Sequence, residues 1–255
     1  MHTPLLWEGK LNGLEQIAPL TPAPLTNLQL PQHNIRLGHL VEHYIIYQLQ
    51  QTTNIQLLTS NLQIKHNKLT IGELDVILLQ NTTPIHLEIV YKFYIYDETV
   101  GSSELEHWIG PNRKDSLVEK LHKLKNKQLP LLHKPEAIPV LKQLNISPNK
   151  TKQYVHFQAQ LFVPYQQNKT TYPNINQGCI VGFYVNLKNS SNFKTCQWYI
   201  PSKHNWLVTP HNNVPWSTYT SVISEIKNLL ANNKAPLCWL KTPDNKLEKI
   251  FVVWW

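Results

Sequence analysis

Asp75 and Glu88 are the residues in this sequence best suited to chemistry. Each is a carboxylate set inside an apolar run, Ile-Gly-Glu-Leu-Asp-Val-Ile-Leu-Leu (71–79) and Ile-His-Leu-Glu-Ile-Val-Tyr-Lys-Phe-Tyr (85–94). An ionised carboxylate withdrawn from water is costly unless it is paired, hydrogen-bonded or bound to a cation. Two of them on neighbouring strands suit a hard-metal site, because Mg²⁺ takes carboxylate and carbonyl oxygens while keeping several waters. A structural ion pair, for instance Glu88 with Lys92 on the same strand face, accounts for the same residues without chemistry.

The pair matters more because acids are scarce. The chain has 255 residues with 16 Asp+Glu against 24 Lys+Arg, a net charge of +8, and only four aspartates, at 75, 97, 115 and 244. Between Arg113 and Lys152 stand 10 basic residues and three acids, Asp115, Glu119 and Glu136. Such a stretch could track a phosphate backbone with strongly salt-dependent binding, or could be a solvated helix face. Nucleic acid is therefore the expected partner.

Other chemistries find little support. The eight glycines form neither a G-x-G-x-x-G turn nor a G-x-x-x-x-G-K-[ST] loop, which excludes a nucleotide cofactor held in either backbone cradle. Cys179, Cys196 and Cys238 are odd in number and include no C-x-x-C pair, so they read as small buried hydrophobes in a reducing compartment. His39 and His43 have helical i, i+4 spacing but lack the third ligand of a zinc motif. No nucleophile triad is recognisable. Without an apolar N-terminal run or an 18-residue apolar stretch, neither a signal peptide nor a membrane span is expected, and a cytoplasmic location is.

The elements that must position the acids follow from periodicity. Five prolines before residue 34 suggest an extended arm over 1–33. Leu37, Leu40, Val41, Tyr44, Ile45 and Leu49 predict an amphipathic helix over 35–51, with Glu42 beside its apolar stripe. Strand-like runs follow at 55–64, 69–79 and 85–96, an antiparallel meander. In the third, Ile85, Leu87, Ile89, Tyr91, Phe93 and Ile95 alternate with His86, Glu88, Val90, Lys92, Tyr94 and Tyr96. A helix is predicted over 112–129, with Lys120 and Gln128 near its Leu117/Leu121/Leu124 stripe, and a returning strand over 154–163. Beyond Pro164 the chain turns aromatic and β-rich, with runs at 180–187 and 197–208, a helix over 217–232 and a closing strand near 250–255.

Gly-Glu-Leu-Asp (72–75), Glu-Ile-Val-Tyr-Lys-Phe-Tyr (88–94), Gly-Pro-Asn-x-x-Asp (110–115), Leu-Gly-x-Leu-x-Glu (37–42) and the Lys120…Gln128 helix resemble a bacterial family, domain of unknown function eighteen-fifty-three. The likeness spans about residues 34–210, Trp198 and Trp206-Leu207 included. That family is similar to the PD-(D/E)XK nuclease-like superfamily, whose core runs helix, three strands, helix, strand. The resemblance implies that Asp75 and Glu88 hold Mg²⁺ or Mn²⁺ with the carbonyl after Glu88, and that Glu42 is an extra ligand or orienting acid. It makes Lys92 the lysine that orients the attacking water and offsets charge on the scissile phosphate. Glu73, Asn112, Asp115, Lys120 and Gln128 are accessory candidates. The superfamily lysine usually stands two residues after the glutamate, where this chain has Val90. Lys92, four residues on, places its Cα about 13 Å from that of Glu88 instead of about 7 Å.

The expectation is thus a mixed α/β (α+β) protein. It has an arm over 1–33, a restriction-endonuclease-like core over 34–163 and a β-rich extension over 164–255. Its expected function is that of a Mg²⁺-dependent nuclease, with Asp75, Glu88, Glu42 and Lys92 as catalytic set. The alternatives are a non-catalytic nucleic-acid-binding or scaffold protein on a degenerate nuclease fold, and an interaction module working through the aromatic C-terminal region.

Overall fold

Alternating apolar residues make long strands here, and the two acids ride on the middle ones. The computed structural model describes residues 3–20, 35–166 and 171–255. Pro22, Pro24 and Pro31 of the expected arm lie outside the described residues. In chain order the first elements are β1 (Lys10–Leu11), β2 (Leu14–Glu15), α1 (Leu37–Gln50), β3 (Ile55–His66), β4 (Leu69–Gln80), β5 (Thr83–Tyr96), β6 (Trp108–Ile109) and α2 (Leu117–Lys123). Then come α3 (Ile138–Gln143), β7 (Lys152–Pro164), β8 (Ile180–Asn186), β9 (Gln197–Tyr199), β10 (Ser217–Thr218), α4 (Tyr219–Ala231), β11 (Leu237–Lys241) and β12 (Leu247–Val253). Strands pair both parallel and antiparallel, so the sheet is mixed, as the α+β expectation requires.

The described residues group into two compact units. The carboxylate unit takes those among 5–91 and 119–158, and the aromatic unit takes those among 1–4, 92–118 and 159–255. In the carboxylate unit the strand order is β7-β5-β4-β3. Helix α1 buries Val41, Ile45 and Leu49, an i, i+4, i+8 stripe, and packs on β3. Leu131, Leu132, Ala137 and Leu141 pack with Ile64, Leu74 and Ile77. Both faces of β5 are buried from Ile85 to Tyr91, which explains a near-continuous apolar run and isolates any charge within it. Residues 3–20 lay Leu5, Leu6, Trp7, Leu14 and Ile17 into buried positions, with single bridges from Leu5 to Gln158 and from Gln16 to Val155.

In the aromatic unit the order is β10-β9-β11-β12-β8-β7-β5, with β6 on β5. Trp198, Ile226, Cys238, Leu240 and Ile250 are fully buried in its core. All three cysteines are free and buried. Helix α2 begins later than its periodicity predicts, because residues 110–115 form a turn. The Gly110 N–H donates to the Asp115 carbonyl at 2.7 Å, the Arg113 N–H donates to the Gly110 carbonyl at 2.8 Å, and Arg113 adopts φ 53°. A Cβ on Gly110 would lie 2.0 Å from Asp115 Oδ1, so this position accepts glycine alone without a shift. Gly110→Ala should therefore cost about 1–3 kcal/mol of stability. Adding Asp115→Ala should recover part of that loss, a non-additivity that urea denaturation of the single and double variants would show.

Candidate active site

The β4–β5 ladder stops where the carboxylates begin. Paired residues run from Gln80↔Thr83 to Val76↔Leu87, and the next position in register is Asp75 opposite Glu88. Directly opposed residues share one face of the sheet, with Cβ atoms about 5 Å apart. In place of a ladder bond, the Ile89 N–H donates to Asp75 Oδ2 at 2.9 Å. Two acids thus face each other at the point where two strands part.

Glu88 has no exposed surface, and it is held from two sides. His86, two residues earlier on the same face, stands with Nε2 2.9 Å from Glu88 Oε1. The Gln153 side-chain nitrogen, on β7, donates to the Leu129 carbonyl at 2.6 Å and lies 3.0 Å from His86 Nδ1. An amide nitrogen only donates, so Nδ1 accepts and Nε2 carries the proton given to Glu88. On the other side Gln128 Nε2 donates to Glu88 Oε2, and Lys120 Nζ donates to Gln128 Oε1 at 2.8 Å.

Helix geometry explains how Lys120 and Gln128 meet. Eight residues along a regular α-helix leave two side chains about 80° apart. After α2, residues Leu124–Gln128 form a π-helical turn. Its extra residue unwinds the helix by roughly one residue's rotation, about 100°, and brings Gln128 to within about 20° of Lys120.

Charge balance is the defining property of this site. Burial pushes the Asp75 carboxyl up to about 8, with the Glu88 charge adding to the shift and the Ile89 N–H and Lys120 opposing it. Burial pushes Glu88 up to about 7 against the pull of the Lys120 ammonium. Hydrogen bonds with the Asp75 backbone and with the Asp75 and Gln128 side chains also lower Glu88 against that push. Burial drives His86 down to about 4, so it is neutral and offers no counter-charge. The field of the Lys120 ammonium reaches both acids.

The other expected site residues divide by place. Glu42 lies on α1 of the carboxylate unit, 3.0 Å from His39 Nδ1, and its charge is felt at Asp75. Glu73 is half-buried on β4, opposite Gln63 and two residues from Asp75. Lys92, Asn112 and Asp115 belong to the aromatic unit. There Lys92 Nζ donates to Asp115 Oδ2 at 2.6 Å, and Asn112 Oδ1 accepts from the Ala235 N–H at 2.8 Å. His86 and Gln128 are among the groups that hydrogen-bond Glu88, and Lys92 pairs with Asp115 in place of Glu88. Among the described residues no group of three or more His, Cys, Asp and Glu side chains is placed to hold a metal ion. His86 and Gln153 were not among the expected site residues; His86 had a signal in its alternation with Glu88, and Gln153 had none.

The family model described as "Domain of unknown function (DUF1853)" matches residues 9–253. The chain belongs to this family. The match takes in Asp75, Glu88, Lys120 and Gln128 alike, and the DUF1853 description assigns no activity to them. No curated protein and no solved structure matches the chain. Among the described residues no helix is long and apolar enough to cross a membrane.

Both acids have folded-state pKa values above the ordinary 3.8 and 4.5. The unfolded chain therefore ionises first as pH rises, binds fewer protons than the folded chain, and is favoured increasingly up to about pH 8. The contribution of the acid pair to the stability of metal-free protein should fall from pH 4.5 to pH 8, opposed below about pH 6.5 by His86 and His156, which burial keeps neutral in the folded chain. Asp75→Asn, which keeps an acceptor for Ile89, should flatten that slope and melt above wild type at pH 8 in a calorimetric series.

Proposed function

We propose that this chain is a Mg²⁺-dependent phosphodiesterase acting on nucleic acid, on a PD-(D/E)XK nuclease-like core. The observation that carries the reading is the opposition of half-buried Asp75 and fully buried Glu88 at the parting of β4 and β5, both raised in pKa, with Lys120 beside them. Two carboxylates are enough protein ligands for Mg²⁺, which commonly fills its shell with waters and substrate phosphate. Hard oxygen donors that repel each other and lack a full counter-charge fit such an ion. Bound there, Mg²⁺ supplies Lewis-acid activation of water and of a phosphoryl oxygen.

The chain's own groups do the rest. Asp75 and Glu88 hold the ion, and the Ile89 N–H and Gln128 fix the direction of their remaining lone pairs. Lys120, steadied by Gln128, offsets the charge that develops on the phosphate, the role the resemblance gave to Lys92. Glu42 acts at longer range as an accessory acid. Between 119 and 152 the carboxylate unit carries eight lysines against two glutamates, and all but Lys120 are exposed, a surface suited to a phosphate backbone.

Asp75→Asn and Glu88→Gln should each lower Mg²⁺-dependent cleavage of labelled DNA or RNA at least about a hundredfold, Lys120→Met about tenfold or more, and Lys92→Met little. A folded Asp75→Asn protein that cuts as wild type does would overturn the proposal. A second reading, a non-catalytic nucleic-acid-binding or scaffold protein, is favoured by the lack of a third metal-holding side chain among the described residues. It predicts that Mg²⁺ leaves the melting temperature of wild type unchanged, whereas the enzyme reading predicts a rise that Glu88→Gln removes.

A further inference from the structure

The aromatic unit contains a cavity of about 740 Å³, within the roughly 300–1,000 Å³ typical of small-ligand sites. Its floor is apolar and buried: Pro201, Trp206, Pro236 and Leu237. Its rim carries three exposed lysines, Lys114, Lys203 and Lys234, against a single acid, Glu225, among the described residues that line it.

The walls are fixed in place. Trp206 meets Phe93 and Phe251 edge to face, with ring centroids 5.3 and 5.2 Å away. Beneath it the buried Lys249 ammonium donates to the Trp206 carbonyl and to Gln160 Oε1, each at 2.7 Å. Opposite, Asn112 ties the Ala235 N–H, fixing the segment between α4 and β11. The end of α4 also lines the cavity, where the Asn228, Leu229 and Leu230 carbonyls already accept from Asn232, Asn233 and Lys234. Those capping bonds take up part of the negative end of that helix. Lys203 lies over Trp206, its Nζ 4.2 Å from the ring centroid, so a cation and an aromatic surface occur side by side.

We propose that this cavity binds a nucleoside phosphate, as a free mononucleotide or as one nucleotide of a strand. The floor takes the flat faces of the base and the lysine rim takes the phosphate, which as a terminal monoester carries nearly two charges and calls for more than one cation. The volume is far larger than a phosphate ion alone would fill. This mode differs from the glycine-rich cradles that the sequence excludes, because side-chain ammonium groups replace backbone N–H donors. The proposal lies within the aromatic unit and does not rest on the Asp75–Glu88 reading.

Isothermal titration of the full chain with dAMP tests it, with deoxyadenosine and inorganic phosphate as half-ligand controls. Saturable dAMP binding is expected, with each half-ligand at least about tenfold weaker. Lys114→Ala/Lys234→Ala, which alters two exposed side chains, should weaken dAMP at least about tenfold, while Asp75→Asn leaves it unchanged. Leu229→Trp, which fills the cavity from α4, should abolish binding. A 5′-phosphorylated single strand binding more tightly than dAMP, with the difference lost in the double-lysine variant, identifies a strand nucleotide as the occupant. Equal binding identifies the free mononucleotide. Absence of saturable binding at millimolar dAMP, an unchanged affinity in the double-lysine variant, or a loss in Asp75→Asn would overturn the proposal.

Discussion

Two carboxylates opposed across parting strands, with water largely excluded, set the problem that the rest of the carboxylate unit answers. Each proton on this pair lowers repulsion but leaves a group less able to hold a cation. Each cation supplied by the protein does the reverse. Lys120 supplies an ammonium whose field reaches both acids and which is coupled to Glu88 through the amide of Gln128. The Ile89 N–H, His86 and Gln128, which also meet the pair, are neutral donors. A site that binds its acids with dipoles and leaves them short of positive charge is suited to receiving an ion from outside.

That arrangement depends on features of the backbone as much as on side chains. The end of the β4–β5 ladder at Val76↔Leu87 frees the Ile89 N–H for Asp75. The π turn at 124–128 carries Gln128 back above Lys120. The placement of β7 beside β5 lets Gln153 fix the tautomer of His86 and thereby its donation to Glu88. A π turn is a costly departure from regular helix, and such turns are often kept where a side chain must be aimed.

Much of this was legible from spacing. Strand-like runs between turn residues located the first two meander strands, and alternation located the third and the returning strand. Acids inside apolar runs marked Asp75 and Glu88 because their burial needs compensation. Lys120 and Gln128 were visible as polar residues near an apolar stripe. The start of α2 was misjudged because Gly110, Asp115 and the positive φ of Arg113 build a turn whose hydrogen bonds no periodicity reports. Strand β11 was missed since Leu-Cys-Trp-Leu-Lys between Pro236 and Thr242 is too short to show a period. Lys92 shares a strand face with Glu88, yet its partner is Asp115, 23 residues on, and such a long-range pairing leaves no local trace. Gln153 illustrates the same limit, reaching His86 across 67 residues.

The central claim is that Asp75 and Glu88 share protons only until a divalent cation takes their place. Binding of Mg²⁺ or Mn²⁺ near pH 7 should then release protons, and calorimetry in buffers of different ionisation enthalpy counts them. The account predicts saturable binding with about one proton released per ion, diminished in Glu88→Gln and lost in Asp75→Asn. Absence of saturable binding, or binding without proton release that both variants preserve, would contradict it.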